Sequence, residues 1–257
     1  LAGLPHSTKA AYKAAAEERK LSGKWAVVNT RSSVDPFLTA ASKRELREQV
    51  WKAFKKRGDT AGPSDTKGTI AQIVKLRADR AALLGYKSHA HWRMADTMAV
   101  DPAKASELML RVWPAAIARV KEEVGDMMVF AKRDGVTTFE PWDYLYYAEK
   151  VRKAKYNLDQ AELKPYFVLD NMIAASFFMA ERLYGLAFVE ITGKVPVFQP
   201  EVRVWEVTDK ASGKHVGLFY GDYFARAGKR SGAWASGYRG HETFTGTVRT
   251  AITSNNN

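Results

Sequence analysis

The apolar positions change their period once along this chain. Up to about residue 195 they recur every three or four residues, which is helix spacing; from Pro200 they recur every two, which is strand spacing. Pro5 to Lys20 is Ala-rich and reads as a helix closed by Gly23, and Trp25 to Asn29 reads as a short strand. Ser42 and Glu45 have capping-box spacing, Leu46, Val50 and Phe54 line one helix face, and Gly58 ends that helix. After the loop Gly62-Pro63-Ser64, a helix starts at Asp65 or Thr66 and reaches Gly85 through Ile70, Ile73, Val74, Leu76 and Leu83. Asp101-Pro102 combines an N-cap with a first-turn proline and opens a helix to Gly135, roughly 50 Å long at 1.5 Å per residue. Glu140-Pro141 restarts helix through Lys155, Pro165 breaks it, and Tyr166 to Tyr184 forms an apolar helix closed by Gly185.

Beyond Pro200, Val202, Val204 and Glu206 alternate with Arg203, Trp205 and Val207. Thr208 to Lys214, with Ser212-Gly213, reads as a hairpin loop, Val216 to Tyr220 as its return strand, and Gly232 to Tyr238 as a further strand. The expected fold is mainly α with a small antiparallel β-sheet, organised as a helical domain over 1–195 and a sheet region over 196–257.

Composition narrows the class. A chain of 257 residues, 46% hydrophobic and 12% aromatic, can bury one large core or two modest ones. No apolar run is long enough for a membrane span: the best, Met172 to Leu186, is broken by Glu181 and Arg182. The chain opens on Leu1 with no visible signal region. Without cysteine there are no disulfides and no thiolate ligands, so a metal site would draw on carboxylates and the five histidines. The net charge of +12 invites a nucleic-acid reading, but the cations are interleaved with acids, as in Lys43-Arg44-Glu45-Leu46-Arg47-Glu48 and Glu149-Lys150-Val151-Arg152-Lys153. Solvated helix faces are the stronger reading and a polyanion site the weaker one. The cluster Lys52, Lys55, Lys56 and Arg57 falls at a helix end, where cations suit the dipole.

Three stretches carry a resemblance: W-D-Y-L-Y-Y-A-E-K-V-R-K-A-K-Y-N-L-D-Q-A-E-L-K-P-Y-F from Trp142, V-R-V-W-E-V from Val202, and F-Y-G-D-Y-F-A-R-A-G-K-R-S-G-A-W from Phe219. Together they resemble the thimet oligopeptidase family of zinc peptidases, in its peptidyl-dipeptidase branch. The resemblance implies a partial zincin-like catalytic region, whose sheet edges an active-site cleft. It implies hydrolysis of short peptides with release of C-terminal dipeptides, zinc as cofactor, peptides rather than nucleic acid or membrane as partners, and a cytoplasmic or periplasmic setting. In that family the H-E-x-x-H helix lies shortly beyond a segment like T-V-R-T-A-I-T-S-N-N-N, so the chain reads as a middle piece without zinc ligands or the catalytic glutamate, inactive alone. The competing reading is a non-catalytic helical binding module for peptides or polyanions.

The candidate chemistry is sparse. His241-Glu242 begins like H-E-x-x-H, but Thr245 stands where the second imidazole must be. On a helix His89 and His91 would point about 200° apart and could not share a metal, and His6 and His215 show no partner. Trp142, Tyr144, Tyr146 and Tyr147 read as core packing more than as a stacking platform. The site expected to bind substrate is Ser231, Gly232, Ala233 and Trp234, a small-residue strand like the one that related dipeptide-releasing carboxypeptidases lay along a peptide backbone.

Overall fold

The computed structural model describes residues 1–158, 160–226, 228–229 and 232, and the backbone of 234–239, 242–244, 247–249 and 252–256. They form two compact units, Leu1–Leu158 and Asp159–Asn257. The architecture is mainly α with small antiparallel sheets.

The first unit contains α1 (His6–Glu18), α2 (Arg31–Ala40), α3 (Arg44–Lys55), α4 (Lys67–Leu83), α5 (His89–Met94), α6 (Pro102–Arg133), a 3-10 turn at Pro141–Asp143 and α7 (Tyr144–Tyr156). Its core has two centres. Leu4, Tyr12, Phe37 and Ala41 pack with Leu46 and Val50, so the apolar face expected on α3 is an inward face. Met127 and Ala131 near the end of α6 pack on Tyr147 of α7. The Asp101 carboxylate accepts from the Ala103 amide at 2.7 Å and starts α6 where Pro102 can lose its N–H without penalty.

Two local expectations are corrected and one element is added. Trp25–Asn29 is extended but joins no strand: the Ala26 N–H donates to the Tyr12 carbonyl at 2.9 Å and the Val28 N–H to Ser33 Oγ at 3.0 Å. Helix α3 starts at Arg44 with Lys43 as N-cap and no side-chain cap, because the Ser42 amide is turned back to the Ala2 carbonyl at 3.1 Å. Helix α2 is an addition to the expected elements, although Val34, Phe37, Leu38 and Ala41 follow helix spacing and are buried; Pro36 inside it masks the signal.

The second unit contains α8 (Gln160–Leu163), a 3-10 turn at Lys164–Tyr166, α9 (Leu169–Tyr184), and strands β1 (Leu186–Glu190), β2 (Arg203–Asp209), β3 (His215–Gly221), β4 (Trp234–Arg239), β5 (Glu242–Phe244), β6 (Thr247–Arg249) and β7 (Ile252–Asn256). Gly185 closes α9 with φ +65°, the left-handed position that glycine adopts without a Cβ penalty. β1, β2 and β3 form an antiparallel sheet in that order, with Trp205 opposite Glu190 on one side and Phe219 on the other. The expected β2–β3 hairpin is present, its turn held by the Ser212 amide donating to Asp209 Oδ1 at 2.7 Å. β1 is hidden in the sequence because it follows α9 after one glycine with no polar break. Asn255 and Asn256 belong to β7, which pairs antiparallel with β4.

Candidate functional site

The chain leaving β3 is held by its own charges. A Cβ on Gly221 would lie 2.4 Å from Tyr223 Cε2, so only glycine lets that ring fold over the strand end. Asp222 then accepts from Arg226 Nη1 at 2.6 Å and pairs with Lys229 Nζ at 3.3 Å, and Lys229 Nζ also donates to the carbonyls of Asp222 at 2.6 Å and Phe224 at 3.1 Å. Hydrogen bonding from Arg226 is the main reason the Asp222 carboxyl lies below the usual carboxylate range. This staple ties Asp222 and Phe224 to Arg226 and Lys229, ahead of the expected substrate strand in sequence.

Of that strand, Ser231 and Ala233 lie outside the described residues. Gly232 is exposed, with φ +126° in the region that favours glycine. Trp234 begins β4, whose register with β7 runs Trp234↔Asn256, Ala235↔Asn255, Ser236↔Ser254 and Gly237↔Thr253. Among the described residues β7 is the one strand paired with β4, and the other edge of β4 carries no strand. Such an edge presents unpaired N–H and C=O groups.

In the same unit, the sheet β1–β3 is stiffened from within. Phe177 of α9 stacks on Phe188 with centroids 4.2 Å apart and meets Trp205 and Phe219 edge-on. Arg203 forms a fork to Glu190 at 3.0 and 2.8 Å and reaches Asp170 at 2.7 Å. Arg203, followed by the Thr192 hydroxyl, pulls the Glu190 carboxyl down to about 2.

The histidines do not converge. His89 Nδ1 is buried without a partner, and its ring lies 5.5 Å from Trp92; His91 Nδ1 meets Ser88 Oγ at 2.7 Å. His215, expected to be partnerless, contacts Glu206 Oε1 at 2.9 Å. His241 lies outside the described residues, and Glu242 opens strand β5, not a helix. Among the described residues no three His, Asp or Glu side chains come together as metal ligands, so these residues do not fit a zinc site.

A depression of about 320 Å³ in the first unit is lined by Arg44, Arg47, Asp134, Tyr146, Tyr147 and Lys150 among others. Its charges are already answered. Asp143, fully buried, accepts from Arg44 at 2.7 Å and Arg47 at 3.0 Å, while Lys150 holds Asp134 at 2.5 Å. Burial pulls the Asp143 carboxyl up, but Arg44, the Glu140 amide and Arg47 together hold it below the ordinary range. Tyr147 is buried and Tyr146 lies under the Arg47 guanidinium at 4.1 Å, so these aromatics pack the core. This depression is a structural ion network. The staple of Asp222, Arg226 and Lys229 is absent from the expected site residues, although the i, i+4 spacing of Asp222 and Arg226 is its visible signal.

The model of Peptidase family M3 matches residues 37–255. The dipeptidyl carboxypeptidase of Escherichia coli (strain K12) is 38% identical over 240 residues, which cover 93% of this chain and 35% of that protein. Oligopeptidase A of Salmonella typhimurium is 34% identical over 239 residues, covering 91% and 35%. A probable cytosolic oligopeptidase A of Arabidopsis thaliana is 35% identical over 216 residues, covering 82% and 30%. The chain thus spans about a third of the length of the curated relatives it matches. With most of its length matched by the family model, from α2 into β7, the chain belongs to Peptidase family M3.

Proposed function

We propose that this chain is the part of a zinc-dependent peptidyl-dipeptidase that holds the substrate backbone, in an enzyme that hydrolyses short unstructured peptides and releases C-terminal dipeptides. The observation that carries the reading is the edge of β4 that no strand among the described residues occupies, in a chain whose relatives include a dipeptidyl carboxypeptidase. An extended peptide can add to such an edge through main-chain hydrogen bonds, while Gly232 and its small neighbours leave room for its backbone. In this reading Ser231, Gly232, Ala233 and Trp234 orient the peptide, and holding it extended contributes through positioning. Zinc and the general base come from residues outside this chain, the sheet region of 196–257 edges the active-site cleft, and the chain alone is inactive. No helix among the described residues is long and apolar enough to cross a membrane; the proposed setting is cytoplasmic or periplasmic.

The test is product analysis. A family-length polypeptide carrying these residues, incubated with an unstructured peptide, should release dipeptides stepwise from the C-terminus and stop when the metal is chelated, while residues 1–257 alone should cleave nothing. Release of single amino acids or internal fragments would refute the dipeptidase reading. Peptide binding with no cleavage by the metal-loaded longer polypeptide would replace it with a non-catalytic binding module.

A further inference from the structure

Helix α4 is finished on one side only. On a 100° wheel, Ile73, Arg77, Arg80 and Leu84 fall in one narrow stripe, with Ile70, Val74, Leu76 and Leu83 flanking it. The opposite side carries Gln72 and the Lys75–Asp79 pair, joined at 2.6 Å. The polar side is therefore an ordinary solvent face. Ala81 is buried, but the large residues of the apolar side are uncovered: Leu76 is 65% exposed, Leu83 87% and Leu84 49%. Large exposed apolar patches on soluble proteins mark surfaces that something else covers.

The charges within this face are all of one sign. Arg80 lies over the Trp92 ring at 4.3 Å and Arg93 at 5.4 Å from the same centroid. Arg77, Arg80 and Arg93 have no acidic partner within ion-pair distance among the described residues; Asp79 is taken by Lys75, and Asp96 pairs with none of the three. Partial burial, then Arg77, Arg80 and Arg93, keep the His89 imidazole below its ordinary range, and its buried Nδ1 finds no hydrogen-bond partner. A cover made by a second copy would bring together two faces whose unpaired charges are all arginines, on chains of net charge +12. The complementary cover is acidic. The curated relatives are about three times as long as the matched segment, so a family-length polypeptide has chain to provide it.

We infer that in the family-length polypeptide the face of Ile73, Arg77, Arg80 and Leu84 is covered by an acidic, apolar-flanked segment of the same polypeptide from outside residues 1–257, whose carboxylates pair with Arg77, Arg80 and Arg93. Planar guanidiniums suit bidentate carboxylate recognition, and the aromatic stack at Trp92 holds two of them in place. This inference rests on family membership and is independent of which peptides the enzyme cleaves.

Amide hydrogen exchange tests it, with α4 as reporter and α3 as internal control. The α4 amides should exchange about tenfold or more slowly in the family-length polypeptide than in residues 1–257. That slowing should persist in R77K/R80K/R93K and vanish in R77E/R80E/R93E, with α3 unchanged throughout. If the glutamate variant does not fold, R77Q/R80Q/R93Q, which removes the charge without adding carboxylates, decides the matter by the same readout. Equal α4 exchange in the two polypeptides would overturn the inference, as would protection indifferent to the loss of arginine charge. Protection that rises with the concentration of residues 1–257 alone would identify a second copy as the cover and overturn it as well.

Discussion

Two groups of arginines in the first unit carry the same chemistry to opposite ends. Arg47 is 1% exposed, donates to the Ala41 carbonyl at 2.8 Å and to Asp143 Oδ1 at 3.0 Å, and lies on the Tyr146 ring; Arg44 completes the other side of the same carboxylate. Arg77, Arg80 and Arg93 are exposed, stack on Trp92 or stand free, and meet no carboxylate among the described residues. The first group ties α3 to the turn before α7 and belongs to the unit's own stability. The second adds little to it. A buried charge stabilises a fold only when its partners are complete, and an incomplete exposed set is available to a partner.

This contrast orders the expected effects. Asp143→Ala leaves two guanidiniums facing a buried vacancy and should lower unfolding free energy by about 3–5 kcal/mol, read as a shift in denaturant midpoint at constant slope. Its pH signature follows from the depressed carboxyl: the Asp143 contribution is complete above the unfolded pKa of about 3.9 and is lost as pH falls through the lower folded value, so the variant should have a flatter acid limb. A steep, unchanged acid limb would remove Asp143 from the account.

The staple after β3 is intermediate in burial, with Lys229 17% exposed. Lys229→Met removes its bonds to two carbonyls and to Asp222, and should cost about 1–3 kcal/mol, seen as faster amide exchange across residues 222–229. Glu190→Gln should have a smaller effect, because the pair with Arg203 is partly exposed and screened. Its sign is fixed. Glu190 stabilises above about 4.5 and loses that contribution as pH falls toward about 2, so wild type and variant should converge in acid and diverge near neutrality, less so at high salt. Least of all, Arg77→Gln with Arg93→Gln should change the stability of residues 1–257 by no more than about 0.5 kcal/mol. A large loss there would mean that the second arginine group is part of the fold after all, and would break the comparison.

Most long helices are legible in the sequence because their ends are written in local chemistry: Asp101-Pro102 at the start of α6, Glu140-Pro141 before α7 and Gly185 after α9. The β2–β3 hairpin is legible from strict alternation. What stays hidden depends on contacts distant in sequence. The Arg47–Asp143 bond spans 96 positions, and nothing near Arg47 marks it as a buried cation. Ser42 has the spacing of a cap relative to Glu45, but the chain at Ala2 claims its amide. The apolar positions of α4 do form one periodic face, while their exposure can be seen only in three dimensions. For the proposed substrate strand, the sequence suggests the segment, and the structure describes the bonds of Asp222, Arg226 and Lys229 before it and the pairing of β4 with β7.

The central claim is that Ser231 to Trp234 holds the peptide backbone, and kinetics of two neighbouring variants in the family-length enzyme test it most directly. Ala233→Pro removes an N–H and constrains the backbone, whereas Trp234→Ala removes a side chain and leaves the main-chain groups in place. The account predicts that Ala233→Pro lowers kcat/KM about tenfold or more, equivalent to about 1.4 kcal/mol of transition-state stabilisation, with folding and metal content retained, and that Trp234→Ala acts mainly through stability. A well-folded, metal-loaded Ala233→Pro enzyme with unchanged peptide hydrolysis would contradict it.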